Sequence, residues 1–469
     1  MNMKRTLIIG AGVAGQELAK ELKKNLRSVI RVIGYIDDDK EKLNHYIQGI
    51  KVLADSSGLE EIIRKNQIDE VFIALPSEEG ETIKRIIDLC RKSKVVFKIV
   101  PRTLEIILGK VKMPQIREVR IEDLLGRPIV RSDQKKFMNF FRGKKILVTG
   151  AAGSIGSELC RQLVQFAPQR LVCLDIWESG LFELDNEIRS LGLDNHLIVM
   201  GNIQDKKKVN AIFNQYKPDI VFHAAAFKHV PIMQIYPDEA VKNNIFGTKI
   251  IADAALKYSC LKLINISTDK AADPTSVMGT TKMLAERIIF SANKKKSTKF
   301  LSVRFGNVLD SQGSVVPVFR RQIAGGGPVT VTDRKMTRYF MTIPEAAQLV
   351  LEASVIGEGG DLFVLDMGIP VKIVEMAKLM IRLSGFLPGK EIKIKYVGKR
   401  PGEKISEILH TNNELLEKTE NDKIFKIRQN AQFNDKLAKI LSDLRKIVYS
   451  GNKAQIIEYL KEVAPNLQN

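Results

Sequence analysis

Twice along this chain an apolar run stops at a glycine-rich turn and passes directly into a helical pattern. Leu7-Ile8-Ile9 leads into Gly10-x-Gly12-x-x-Gly15 and then AGQELAKELKKNL. Further on, KKILVTG leads into Gly150-x-x-Gly153-x-x-Gly156 and then SELCRQLVQF. Strand, tight turn and helix in this order open a parallel α/β sheet. A chain that does this twice is constrained to two such sheets. The expected fold class is therefore α/β, with two Rossmann-like, doubly wound parallel-sheet domains.

Apolar runs continue the first sheet at 30–36, 70–75 and 95–100, which gives a small doubly wound domain over 1–120. A Gly-Arg-Pro break and a basic, aromatic stretch mark 121–143 as a linker. The second unit alternates more regularly, with predicted strands at 144–149, 170–175, 196–201, 219–225, 262–267 and 299–305. Beyond Asn307 the regularity gives way to glycine-rich loops such as 323–328, as a C-terminal substrate-binding cap would require. The catalytic domain is thus expected over 144–411. Residues 412–469, rich in Lys and Glu, are expected to form a helical extension.

The chain has 469 residues, 44% apolar and 27% charged, as in an ordinary globular protein. Its net charge of +20 attracts polyanions or phosphorylated substrates, or simply reflects lysines on solvated helix faces. A single Trp and few aromatics argue against nucleic-acid binding. The four cysteines form no C-x-x-C pair, so neither a disulfide framework nor a metal site is expected. No apolar run is long enough to span a bilayer, which points to the cytoplasm and leaves peripheral membrane association open.

The second glycine turn is the better cofactor site. Gly150, Gly153 and Gly156, with Ser154 and Ile155 between them, are placed to let a pyrophosphate approach the backbone and the helix N-terminus. Asp175 ends the next strand about 20 residues on, where a carboxylate binds the adenosine ribose and repels a 2′-phosphate. NAD is therefore expected rather than NADP. Asn202 and Ile203 after the third strand, and Ala224 and Ala225 after the fourth, complete the candidate cofactor contacts. The first turn, with Asp37, Asp38 and Asp39 downstream, reads either as a second nucleotide site or as an empty or regulatory one.

The segment 264–286, INISTDKAADPTSVMGTTKMLAE, has the spacing of a short-chain dehydrogenase active site. Lys282 stands where such enzymes carry the Lys of Tyr-x-x-x-Lys, but the Tyr position is Met278, which exchanges no proton. Beside Thr268 stand Asp269 and Lys270, an acid and a base that hydride transfer alone does not need. The combination resembles the nucleotide-sugar 4,6-dehydratases, in particular the large subgroup acting on UDP-N-acetylglucosamine in bacterial polysaccharide and glycoprotein synthesis. That resemblance implies that Asp269 protonates the departing C6 hydroxyl and Lys270 removes the C5 proton. It further implies that Thr268 binds the C4 hydroxyl, that Lys282 holds the nicotinamide ribose, and that C5 keeps its configuration. Both members of the pair would work uncharged, and a dry pocket is expected to raise the Asp pKa and lower the Lys pKa.

The resemblance extends over 121–430 and implies a UDP-sugar clamp. HAAAFKHVPIM (223–233) places Lys228 and His229 at the sheet edge beside the sugar, and KNNIFGT (242–248) places Asn244 near the cofactor. RFGNVLDSQGSVVPVF (304–319) contributes Asn307 and Val316, MTRYFMTIPEAA (336–347) Arg338, and KRPGEK (399–404) Arg400 and Glu403. Arginines suit diphosphate oxygens, and Glu403 suits the uridine ribose. Two other readings stay open, a UDP-sugar 4-epimerase and a non-catalytic regulator that binds NAD or a UDP-sugar. Relatives pair through helices flanking this sheet, so a homo-oligomer is expected.

Overall fold

The structure, a computed structural model, describes residues 3–26, 29–76, 78, 80–93, 95–100, 119, 123, 133–293, 298–412, 414–428 and 436–468. Part of the expected linker, 121, 122 and 124–132, lies outside these residues. The chain divides into two compact units, Met1–Ile129 with Lys378–Lys393 and Val130–Ala377 with Ile394–Asn469.

The first unit is built on β1 (Lys4–Ile9), β2 (Ile30–Ile36), β3 (Tyr46–Ile47), β4 (Ile50–Ala54), β5 (Glu70–Ile73) and β6 (Val96–Ile99). Their order is β3-β4-β2-β1-β5-β6, parallel except for the β3–β4 pair. Successive side chains of a strand point to opposite faces. Leu7 and Ile9 accordingly pack in one core with Ile83 and Ile86 of helix Gly80–Lys92, while Ile8 packs in another with Leu18 and Leu22 of helix Val13–Asn25. Both faces are covered, so the strands read as unbroken apolar runs.

The second unit contains β7 (Lys145–Thr149), β8 (Arg170–Asp175), β9 (His196–Met200), β10 (Ile220–His223), β11 (Lys262–Thr268), β12 (Lys299–Phe305), β13 (Asp361–Leu365), β14 (Leu415–Lys418) and β15 (Ile424–Arg428). The nine-stranded order is β14-β15-β13-β12-β11-β10-β7-β8-β9. Strands β7 to β13 are parallel, β15 pairs antiparallel with β13, and β14 pairs antiparallel with β15 at the edge. This corrects the expectation of a helical extension over 412–469. Its first part is the sheet's edge hairpin, in which Ile424 and Ile427 are buried. Among the described residues there, only Leu437–Val448 and Lys453–Val463 are helical.

Short strand pairs and helices fill the region after β12, including Asn307–Val308 beside Phe340–Met341 and Val329–Val331 beside Ile394–Tyr396. Before β7, helix Gln134–Phe141 is capped by the Asp133 carboxylate, and its Phe137 and Phe141 pack against Phe166 in the main core. All four cysteines are free and buried. Among the described residues no helix is long and apolar enough to cross a membrane.

Candidate active site

Strand β7 lies between β8 and β10, so the connections that leave the carboxyl ends of β7 and β10 run to opposite sides and open a crevice there. The second glycine turn occupies this point. Gly150 has φ +69°, and a Cβ on it would stand 2.6 Å from Ala225 N. A Cβ on Gly156 would stand 2.0 Å from Gly150 O, so the helix can begin this close to the strand only with glycine there. The loop is fastened by Ala152 N–H, which donates to Asp175 Oδ2 at 2.9 Å, while Asp175 Oδ1 accepts from the amides of Ile176 and Trp177. A bare backbone turn at a helix start, with a carboxylate at the end of the next strand, suits a dinucleotide without a 2′-phosphate. The first unit repeats the fastening, with Ala11 N–H donating to Asp37 Oδ2 at 2.7 Å.

A cavity of about 930 Å³ runs from this loop across the carboxyl ends of β10, β11 and β12. Gly150, Gly153, Ser154, Ile155 and Gly156 line it, with Ala224, Lys228, His229, Thr268, Lys270, Met278, Lys282, Asn307, Arg338, Arg400 and Glu403. Asp175, Asn202, Ile203, Ala225, Asn244 and Asp269 are not among its lining residues. Asn202 Oδ1 accepts from Gln204 N–H, and Ile203 is buried beneath Gly247. Asn244 binds both backbone groups of Phe227 and the Thr281 hydroxyl, which fixes the strand exit carrying Lys228 and His229. Val316 corrects an expectation. Helix Val315–Ala324 turns Val315, Val318 and Phe319 toward the cavity, and Val316, about 100° around the helix, is fully buried away from it.

The acid–base motif sits where β11 ends. Thr268 Oγ1 donates to Asp269 Oδ1 at 2.9 Å, and Lys270 Nζ donates to the same oxygen at 2.9 Å and to Asn307 Oδ1 at 3.1 Å. Asp269 is buried, and its Oδ2 has no hydrogen-bond partner. Burial alone would lower the Lys270 pKa, but the carboxylates of Asp269 and Glu407 outweigh it and raise the pKa above the ordinary lysine value. The expectation that a dry pocket lowers it is therefore corrected. Ion pairing wins over desolvation because two carboxylates surround one ammonium. Burial does dominate at Lys282, whose Nζ donates to Ile266 O at 2.7 Å and whose pKa falls to about 8. Met278 stands in the first turn of helix Val277–Ala292, which is capped by Ser276.

The remaining candidates divide. Burial, and then Lys228, lower the His229 pKa; burial lowers that of Lys228. A Cβ on Gly313 would stand 2.5 Å from His229 Cε1, so the loop after β12 closes directly on this ring. Arg400 N–H donates to Glu403 Oε2 at 3.2 Å. Arg338 lines the cavity, but its terminal nitrogens donate to the carbonyls of Thr337, Lys404 and Ile405. It braces the 404–407 segment rather than presenting an open fork to a diphosphate. Sequence reasoning missed Glu407, a buried carboxylate 3.7 Å from Lys270 Nζ and 3.8 Å from Arg338 Nε. It also missed His223, held neutral between Thr149 and Thr248, whose pKa burial and then Lys282 push down to about 3. Nothing in the spacing around either residue marks it. Among the described residues no cluster could hold a metal ion.

Residues 146–429 match the family model described as polysaccharide biosynthesis protein. The chain belongs to that family. Residues 1–101 match the model of a CoA-binding domain. Within the polysaccharide biosynthesis proteins, the chain is 44% identical to the probable polysaccharide biosynthesis protein EpsC of Bacillus subtilis, over 88% of this chain and 69% of that one. It is 32% identical to a UDP-N-acetylglucosamine 4,6-dehydratase (inverting) of Campylobacter jejuni, over 58% of this chain and 79% of that protein. It is 36% identical to a UDP-glucose 4-epimerase of Rickettsia bellii, over 59% and 80%. The crystal structure of Pen from Bacillus thuringiensis aligns with a TM-score of 0.58 at 35% identity, over 62% of this chain and 90% of that one. The family is thus one of nucleotide-sugar-modifying short-chain dehydrogenases.

Proposed function

We propose that the protein is an NAD-dependent UDP-N-acetylglucosamine 4,6-dehydratase that makes a UDP-4-keto-6-deoxy-N-acetylhexosamine, with retention at C5. The observation that carries this reading is the Thr268–Asp269–Lys270 cluster, linked at 2.9 Å contacts, at a cavity where Met278 replaces a proton-exchanging Tyr. The second glycine loop and Asp175 would hold the dinucleotide, with Asn202 and Ile203 near the adenine and Lys282 at the nicotinamide ribose. NAD would supply hydride acceptance at C4 and hydride return at C6.

The side chains account for the protons. Thr268 binds the C4 hydroxyl and, through its 2.9 Å contact with Asp269 Oδ1, passes the O4 proton to the carboxylate, so Tyr is not required. The 4-keto group acidifies C5, and the neutral form of Lys270, which its two carboxylates make the minor one at neutral pH, takes that proton. Asp269 then gives its proton to the C6 oxygen as the C–O bond breaks and water leaves. Lys270 returns its proton to C5, and both groups end as they began. Lys228, His229, Arg400 and Glu403 supply sugar, diphosphate and ribose contacts.

The epimerase relative favours a second reading, in which only C4 is oxidised and re-reduced. That reaction has no use for an acid–base pair at C5 and C6. Incubation with UDP-N-acetylglucosamine, followed by mass spectrometry, separates the two. Loss of one water by the wild type, and not by Asp269→Asn/Lys270→Met, is expected. An isobaric C4 epimer would move the protein to the epimerases, and binding without turnover would make it a regulator.

A further inference from the structure

Beside Lys270 lies a second, smaller chamber of about 110 Å³. Its walls include Lys270, Arg338, Ser276, Glu403, Lys404 and Glu407. The Glu407 side chain is only 4% exposed, so its charge is screened by protein rather than by water. Two cations face it, Lys270 Nζ at 3.7 Å and Arg338 Nε at 3.8 Å. Arg338 is immobilised by three backbone carbonyls, two of them from Lys404 and Ile405 in the same segment as Glu407. Lys404 in turn is paired with Asp273, on the loop that follows Lys270. The carboxylate therefore has a fixed seat.

We propose that Glu407 is the positioning residue of the acid–base pair, which anchors Lys270 and sets its strength as a base. The proposal rests on the dehydratase reading above for its role in turnover, though not for its effect on the lysine. Lys270 is held between two carboxylates, Asp269 toward β11 and Glu407 toward the small chamber. Arg338 opposes them, and Asn307 accepts a hydrogen bond from the same ammonium. A proton arriving from C5 creates a cation at Nζ, and a carboxylate already seated nearby stabilises that cation without rearrangement. Glu407 touches neither substrate nor cofactor in this account and acts only through Lys270.

The test reads the lysine directly. The rate of Lys270 acetylation by acetic anhydride is followed against pH in the full chain, peptide by peptide, by mass spectrometry. Only the neutral amine reacts. The midpoint in Glu407→Gln is expected about one pH unit below that of the wild type, and in Glu407→Asp, where the charge is kept but withdrawn, between the two. In turnover of UDP-N-acetylglucosamine the acid limb of kcat/KM should move by the same amount, with a lower plateau because a weaker base removes the C5 proton more slowly. Should Glu407→Gln not fold, the Asp variant alone decides, since it too must shift. Unmoved acetylation midpoints, or a uniform loss of activity with an unmoved limb, overturn the proposal. A shifted midpoint in an enzyme that removes no water upholds Glu407 and sinks the dehydratase reading instead.

Discussion

Lys270 and Lys282 open on the same cavity, and their neighbours push them in opposite directions. Lys270 has two carboxylates; Lys282 has a carbonyl and burial, and its pKa falls from 10.5 to about 8. Below about pH 8 the folded and unfolded chains both hold the Lys282 proton. Between there and the ordinary lysine value only the unfolded chain does, so this residue makes stability rise with pH. The stability difference between wild type and Lys282→Met should therefore shift in favour of the wild type as pH rises from about 8 toward 10.5, measured by urea unfolding. A difference independent of pH would contradict the assignment. The motif strings made Thr268, Asp269, Met278 and Lys282 legible as a group, because local spacing fixes them on one strand end and one helix start. The charge state of Lys270 was not legible. It depends on Glu407, which reaches the site through tertiary folding and carries no spacing signal.

Elements show the same division between local and distant causes. The six strands β7 to β12 fall close to their expected ranges because each is a bounded apolar run. The hairpin strands β14 and β15 were not legible, since LLEK is exposed throughout and IFKIR buries only Ile424 and Ile427, three residues apart, and β13, with which β15 pairs, lies far back in the chain. What ties that hairpin to the catalytic strands is Arg304, at the end of β12. Its guanidinium meets both oxygens of Glu286 at 3.1 and 2.8 Å, both oxygens of Glu414 at 3.1 Å, and the Leu409 carbonyl. Glu286 also accepts from Ser267 at 2.5 Å. Arg304→Met would strand a buried carboxylate, and a loss of about 3–5 kcal/mol in urea unfolding is expected. The exposed Arg320–Asp310 pair, at 3.2 Å, supplies the contrast: Arg320→Ala should cost less than about 1 kcal/mol. Equal losses for the two variants would mean that the buried network bears no special weight.

On the scale of the molecule, the last two helices belong to the catalytic unit. Leu444, Ile456 and Leu460 are fully buried against the layer formed by Ile245, Ile251 and Leu284. Arg445 lies over the Phe246 ring, and Lys453 over Tyr236. The tail then crosses to the loop after Lys270. There Gln468 N–H donates to Thr275 O at 3.0 Å, and Asn466 Nδ2 to Asp273 Oδ1 at 2.7 Å. Removing residues 436–469 would uncover this apolar face, so the truncated chain should elute as aggregate on size exclusion. A well-behaved, fully active truncate would show the helices to be dispensable. The two glycine loops have a consequence of another kind. Each is tied by one loop amide to the carboxylate ending the next strand, Ala11 to Asp37 and Ala152 to Asp175. One polypeptide thus contains a matched pair of knots, and whatever untying the first does to the melting curve is a built-in yardstick against which the second can be weighed.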